Sequence, residues 1–233
     1  MVASRNDTTE REYAMTSTAE RGHRIEQRGS RWFRRPFQII RANLGAYLAL
    51  NAMAYGLFLV GMGVGLLRPE LTGANTASLQ QDGTAEMVTW AMSSTWLFSL
   101  TILAVNTVWL SLAHVLLPSA IVPFGGIAVF AYWALYTGVT LAPVNEVTAL
   151  TMIPHSLTVL IEFQAYVLVL LGAYRLGMSW LRPGTVGART RRQGYVRGLR
   201  QVGWLGLPAL ALLVVGAIYE AVEIIHLVPL LLP

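Results

Sequence analysis

LTMIPHSLTVLIEFQAYVLVLLGAYRLGMSWL, residues 150–181, decides the fold. Only two of its residues, Glu162 and Arg175, carry a full charge. A helix crossing the hydrocarbon core of a bilayer needs about 20 predominantly apolar residues. This run exceeds that length, and an apolar run so long reads as a membrane-spanning helix. Its excess length predicts tilt, a kink or an extra turn in water.

Working outward, four more runs meet the same requirement: about Leu44–Leu67, Met87–Leu112, Ala120–Leu141 and Val202–Val228. The whole chain of 233 residues is 55% hydrophobic and 12% charged, against about 25% charged in an ordinary soluble domain. The expected fold is all-α, an integral membrane bundle of about five transmembrane helices over residues 44–233. Pro118, Pro123 and the Gly125-Gly126 pair predict a tight or re-entrant link between the second and third spans. Gly56, Gly61, Gly63 and Gly65 in the first span are expected to let helices approach closely.

Arginine placement sets the expected orientation. Nine of the 17 basic residues lie in residues 1–43 and seven between Arg175 and Arg200, leaving only Arg68. Short arginine-rich segments stay on the cytosolic side. The N-terminus and the 182–201 connection are therefore expected in the cytosol, and the C-terminus outside. The 68–86 loop, with Glu70, Asp82 and Glu86, and the 142–149 loop, with Glu146, face outward in this scheme. Residues 1–30 are polar, mixed in charge and poor in large apolar side chains, the composition of a disordered cytosolic tail. Residues 31–43 mix arginine with Trp32, Phe33, Phe37, Ile39 and Ile40, which suits a segment lying among lipid headgroups. Topology thus accounts for the net charge of +5, and nucleic acid is not an expected partner. The expected location is the cell membrane, as a multi-pass protein.

Two absences narrow the chemistry. The chain has no cysteine, which excludes disulfides and thiolate metal sites. It has no lysine either, which excludes a Schiff base and a P-loop. Any energy from ATP must come from a separate ATPase.

Against that background the costly residues stand out. His155 and Glu162 lie in the fourth span, and Glu220, Glu223 and His226 in the fifth. An ionisable side chain at a helix centre in the bilayer costs roughly 2.5–3.5 kcal/mol even on insertion scales. His155 and Glu162 are seven residues apart and return to nearly one face, while Glu220, Glu223 and His226 step by three. On the arginine topology all five fall in the outer half of the membrane, where the two helices can meet. Three or four such groups would suffice for zinc or a similar divalent ion, or one pair for general acid–base work. Bland readings stand beside these: Glu223 and His226 as hydrated rim residues, His155 serving a helix start after Pro154, Glu162 and Glu220 as hydrogen-bonded packing groups. Asn51, Asn106 and His114 are expected to join helices.

The run Pro154-His155-Ser156, then Glu162, then Gly172-Ala173-Tyr174-Arg175-Leu176-Gly177 resembles the stage II sporulation protein M family. Asn106, Pro123-Phe124-Gly125-Gly126 and Glu220 extend the likeness over about residues 38–228. Ser156 stands where the family more often has glycine, and the His-to-Glu separation is longer than the family pattern. The resemblance implies a multi-span bacterial membrane protein working with partners, in envelope remodelling or in gene clusters for ribosomally made peptides such as circular bacteriocins. The expected function is a non-catalytic or conditionally catalytic membrane component of peptide maturation, export or self-protection that binds other membrane proteins or a peptide. The alternatives are an intramembrane enzyme using His155, Glu162 and Glu220, with or without a metal, a transporter-like subunit with Glu162 and Glu220 as proton carriers, and an envelope-remodelling scaffold.

Overall fold

The computed structural model describes residues 34–81 and 83–232. The expected tail over residues 1–30, the aromatics Trp32 and Phe33, and Asp82 lie outside the described residues. Residues 34–42 form a helix, α1, closed by the Asn43 side-chain amide donating to Ile39 O at 2.7 Å. Residues 34–43 belong to a unit separate from Leu44–Pro233.

The second unit is entirely helical among the described residues: α2 (Leu44–Leu67), α3 (Pro69–Gln81), α4 (Thr84–Ala91), α5 (Thr95–Ile121), α6 (Gly125–Thr140), α7 (Glu146–Leu181) and α8 (Arg191–Leu231). Four of them, α2, α5, α7 and α8, are long and apolar enough to cross a membrane. The expected first span coincides with α2. The expected fourth begins one turn early, because Asn145 caps α7 reciprocally with Thr148. The fifth gains three turns at its start, where the Thr190 side chain accepts from the Gln193 N–H.

The middle of the chain departs from expectation. The run expected to span from Met87 breaks at Met92–Ser94, and α5 starts at Thr95 and continues through Pro118 to Ile121. Val105–Leu116 within α5 is a π-helix, its backbone bonds reaching five residues instead of four. Two side chains follow the same reach: Ser111 Oγ donates to Asn106 O at 2.7 Å, and His114 Nδ1 to Trp109 O at 2.7 Å. The link to α6 is a tight turn and not a re-entrant segment, with Phe124 in the left-handed region at φ 67°. α6 has 16 residues, about 24 Å long, and is shorter than the expected third span. The 68–86 segment, expected as a loop, is mostly the helices α3 and α4.

α7 is the centre of the bundle. In its most apolar window 61% of residues are buried, against 22–28% in the other three long helices. Residues Ala165–Ala173 are buried without a break, as a helix enclosed on every side must be. α8 runs antiparallel to it, with Gly194 seated on Ser179, Gly198 on Leu176 and Gly172 on Val202. α2 and α6 run in the same direction, Gly61 opposite Leu135–Val139 and Gly65 opposite Val139 and Ala142. Phe58, Phe130, Trp133, Phe163 and Tyr166 join α2, α6 and α7 through ring contacts of 5.1–6.2 Å. On the opposite side, Phe98 and Ile102 of α5 pack on Ala217 and Ala221 of α8.

Candidate functional site

The polar groups of α7 divide between two faces, because residues two apart on a helix point in nearly opposite directions. Glu162 faces α5 and α8. Gln164 faces α2.

On the first face, Asn106 Nδ2 of α5 donates to Glu162 Oε1 at 2.5 Å, and Tyr166 OH lies 3.4 Å from Glu162 Oε2. Asn106 sits in the first turn of the π-helix, and its backbone carbonyl accepts from Ser111 Oγ five residues on. Glu162 also lies across Gly216 of α8, where an added Cβ would come within 3.0 Å of its Cγ. One turn along α8 from that glycine, Glu220 brings its carboxyl beside that of Glu162.

A second pair lies further along the same seam. His155 Nδ1 donates to Glu223 Oε1 at 3.1 Å, and Thr158 Oγ1 donates to Glu223 Oε2 at 2.6 Å. Glu223 is 0% exposed. That overturns the reading of Glu223 as a hydrated rim residue: its N–H still bonds to Tyr219 O in α-helical register, so the spacing of three from Glu220 keeps it on the face toward α7, and the π-turn Glu223–Leu227 begins only there. His155 does not serve a helix start either, since α7 begins at Glu146 and Pro154 is an interior residue. The Pro154 carbonyl accepts from Tyr219 OH of α8 at 3.2 Å.

His226 is exposed and leaves the group. Its Nε2 pairs with Thr95 Oγ1 of α5 at 3.2 Å. The expected stripe of Glu220, Glu223 and His226 breaks because the π-turn places the third residue further round the helix. His155 and Glu162 do share a face toward α8, as their spacing of seven requires. Among the described residues no three His, Asp or Glu side chains converge as a metal-binding set. The arrangement is two adjacent pairs, Glu162–Glu220 and His155–Glu223.

The other face of α7 carries a network that the sequence reading left out. Gln164 Nε2 donates to Asn51 Oδ1 at 2.8 Å and to Tyr55 OH at 3.0 Å, while Tyr47 OH donates to Gln164 Oε1 at 2.8 Å. Tyr55 OH in turn donates to Leu160 O at 3.1 Å. Tyr47, Asn51 and Tyr55 step by four, so one helix face offers all three to α7. That spacing was the available signal. Thr158 and Tyr166 had a weaker one, lying three and four residues from His155 and Glu162. Asn51 and Asn106 join helices as expected, whereas His114 bonds within α5 and meets the Trp109 ring at a tilt, 4.8 Å between centroids.

An open cavity lies elsewhere, at Ala85, Glu86, Thr89 and Trp90, and includes none of these groups. Comparison of the chain with protein-family models, curated proteins and solved structures finds no match.

Proposed function

We propose that the chain is a multi-pass component of a membrane system for maturing, exporting or protecting against a ribosomally made peptide, and that it acts by binding a partner protein or the peptide. The observation that supports a binding role is how the deep ionisable groups are used. Glu162, Glu223 and His155 each have a hydrogen-bond partner on a neighbouring helix, and Glu220 lies against Glu162. Groups used this way fix the arrangement of the spans, as a preorganised docking surface requires. The resemblance to the stage II sporulation protein M family supplies the peptide setting, with envelope remodelling as that family's other setting.

The contact between the Glu162 and Glu220 carboxyls favours a second reading, intramembrane acid–base chemistry or proton transfer. One experiment separates the two. Glu162→Gln and Glu220→Gln preserve shape and can still hydrogen-bond, so the binding reading expects both variants to stay folded, capture the same membrane partners and remain functional in the host. Loss of function with partner capture intact would transfer the assignment to the acid–base reading. Absence of any specifically captured protein or peptide with the functional wild-type chain would remove the binding reading.

We further propose five crossings, with the N-terminus in the cytosol and the C-terminus outside. The parallel course of α6 and α2 supports this, because consecutive crossings reverse direction and the third must run like the first. The shortness of α6 is met by local thinning of the bilayer. The chain has no cysteine of its own, so single substitutions report the sides cleanly. Asn145→Cys is expected to label from outside intact cells, and Thr185→Cys only after permeabilisation. If α6 does not cross, the two positions exchange sides.

A further inference from the structure

We propose that the α7–α8 connection and the first three turns of α8 form a binding surface for anionic phospholipid headgroups. Arg182, Arg189, Arg191, Arg192, Arg197 and Arg200 are all exposed there. No acidic residue occurs in the sequence between Glu162 and Glu220. Among the described residues, none of these six arginines pairs with a carboxylate. Arg175, nearest them on α7, is engaged elsewhere and donates from Nε to Gln201 Oε1 at 2.8 Å.

The connection has a defined shape. Pro183–Val186 forms a 3₁₀ turn, Gly187 takes φ 66°, and Arg197 Nη1 donates to Val186 O at 2.7 Å. The Gln193 side-chain carbonyl accepts from the Arg189 N–H at 3.2 Å. Gly194 and Gly198 hold the inner face of α8 against Ser179 and Leu176. The arginines consequently point away from the bundle.

Apolar side chains among them indicate which anion fits. Val196 is 60% exposed and Leu199 43% exposed, between Arg192, Arg197 and Arg200. A free anion or a nucleic acid backbone would gain nothing from them. A membrane surface accommodates both, with guanidinium groups at the phosphates and the aliphatic side chains dipping toward the acyl region. Trp180 and Tyr195 meet edge to face at 5.3 Å beside this surface, the residue types enriched at headgroup level. The proposal rests on the membrane reading of the bundle and is independent of peptide handling.

The test uses the full chain with Leu199→Cys as its only cysteine, carrying an environment-sensitive fluorophore. It is reconstituted in vesicles of phosphatidylcholine alone or of phosphatidylcholine with phosphatidylglycerol. The expected result is blue-shifted emission and protection from a water-soluble quencher only when phosphatidylglycerol is present. Arg191, Arg192, Arg197 and Arg200 replaced together by Gln should abolish the difference. Each single Arg→Gln should lower the phosphatidylglycerol retained over phosphatidylcholine in native mass spectrometry roughly fivefold. Equal emission in the two vesicle types overturns the proposal, and this comparison needs no arginine variant to fold. A difference that persists in the quadruple variant also overturns it. So does the same shift on adding inorganic phosphate to phosphatidylcholine vesicles, which would assign a free-anion site instead.

Discussion

His155→Leu is expected to destabilise the bundle by about 3–5 kcal/mol, the range for removing one partner from a buried ion pair. The reason is the asymmetry of the pair. Glu223 has no exposed surface, while the His155 side chain retains 15%. Without the imidazole, Glu223 Oε1 loses its donor in an apolar seam, and only the Thr158 hydroxyl continues to serve the carboxyl. Glu223→Leu should cost less, because the His155 that remains is not fully enclosed, with 15% of its side chain exposed, and Thr158 can turn to a carbonyl of its own helix. The double variant His155→Leu/Glu223→Leu should be more stable than His155→Leu alone, since it removes the stranded carboxyl altogether. Thermal unfolding midpoints in one detergent check the order, at roughly 2–4 °C per kcal/mol for a chain of this size. Additive losses in the double variant would show that the pair is not the unit proposed.

The same pair shows how far the sequence could be read. The expense of burying ionisable groups marked His155, Glu162, Glu220 and Glu223 at once, and a spacing of seven placed His155 and Glu162 on one face. Partnership was beyond reach. It depends on which residues of α5, α7 and α8 come to the same level, which no spacing within one helix fixes, and on the π-turn after Glu223 that sends His226 to Thr95. A π-turn costs one residue of register and leaves no composition signal, so a strict 3.6-residue count fails after it. Gln164 was legible in principle: Tyr47, Asn51 and Tyr55 at steps of four needed a partner on another helix.

Span boundaries follow a similar division. α2 was recovered because Arg41 and Asn43 precede its apolar run and Arg68-Pro69 follow it. The second span was misplaced because Met87–Met92 is apolar enough to continue a hydropathy run. Ser93-Ser94-Thr95, residues that favour the start of a new helix, carried the actual boundary. Pro118 pointed toward a break, yet it falls at the start of the α-helical turn that follows the π-segment, where a missing N–H is tolerated. Hydropathy thus detects apolar material and not the hydrogen-bond register that divides it.

Gly138→Val is expected to separate α2 from α6 and prevent recovery of folded, monodisperse protein. A side chain at Gly138 would overlap the Phe58 carbonyl oxygen, and at Gly61 the Leu135 carbonyl oxygen. Backbone cannot swing aside as a side chain can, so the helices must move apart. With them would go the Phe58–Phe163 contact at 5.1 Å and the Thr72 Oγ1 hydrogen bond to Val139 O at 2.8 Å. Association of membrane helices relies on close packing, because lipid offers no hydrophobic penalty for separation. Gly138→Ala should already cost about 1–3 kcal/mol as overpacking. Gly56 and Gly63 of the same α2 glycine series have nothing within 4 Å of an added Cβ. Their alanine variants should be neutral or stabilising by up to about 1 kcal/mol. Size-exclusion profiles and unfolding midpoints of Gly56→Ala, Gly61→Ala, Gly63→Ala and Gly138→Ala decide the matter: equal losses at all four would mean that glycine content, and not the α2–α6 contact, governs stability. A split between Gly61 with Gly138 and Gly56 with Gly63 would place the structural demand on the two glycines where backbones meet.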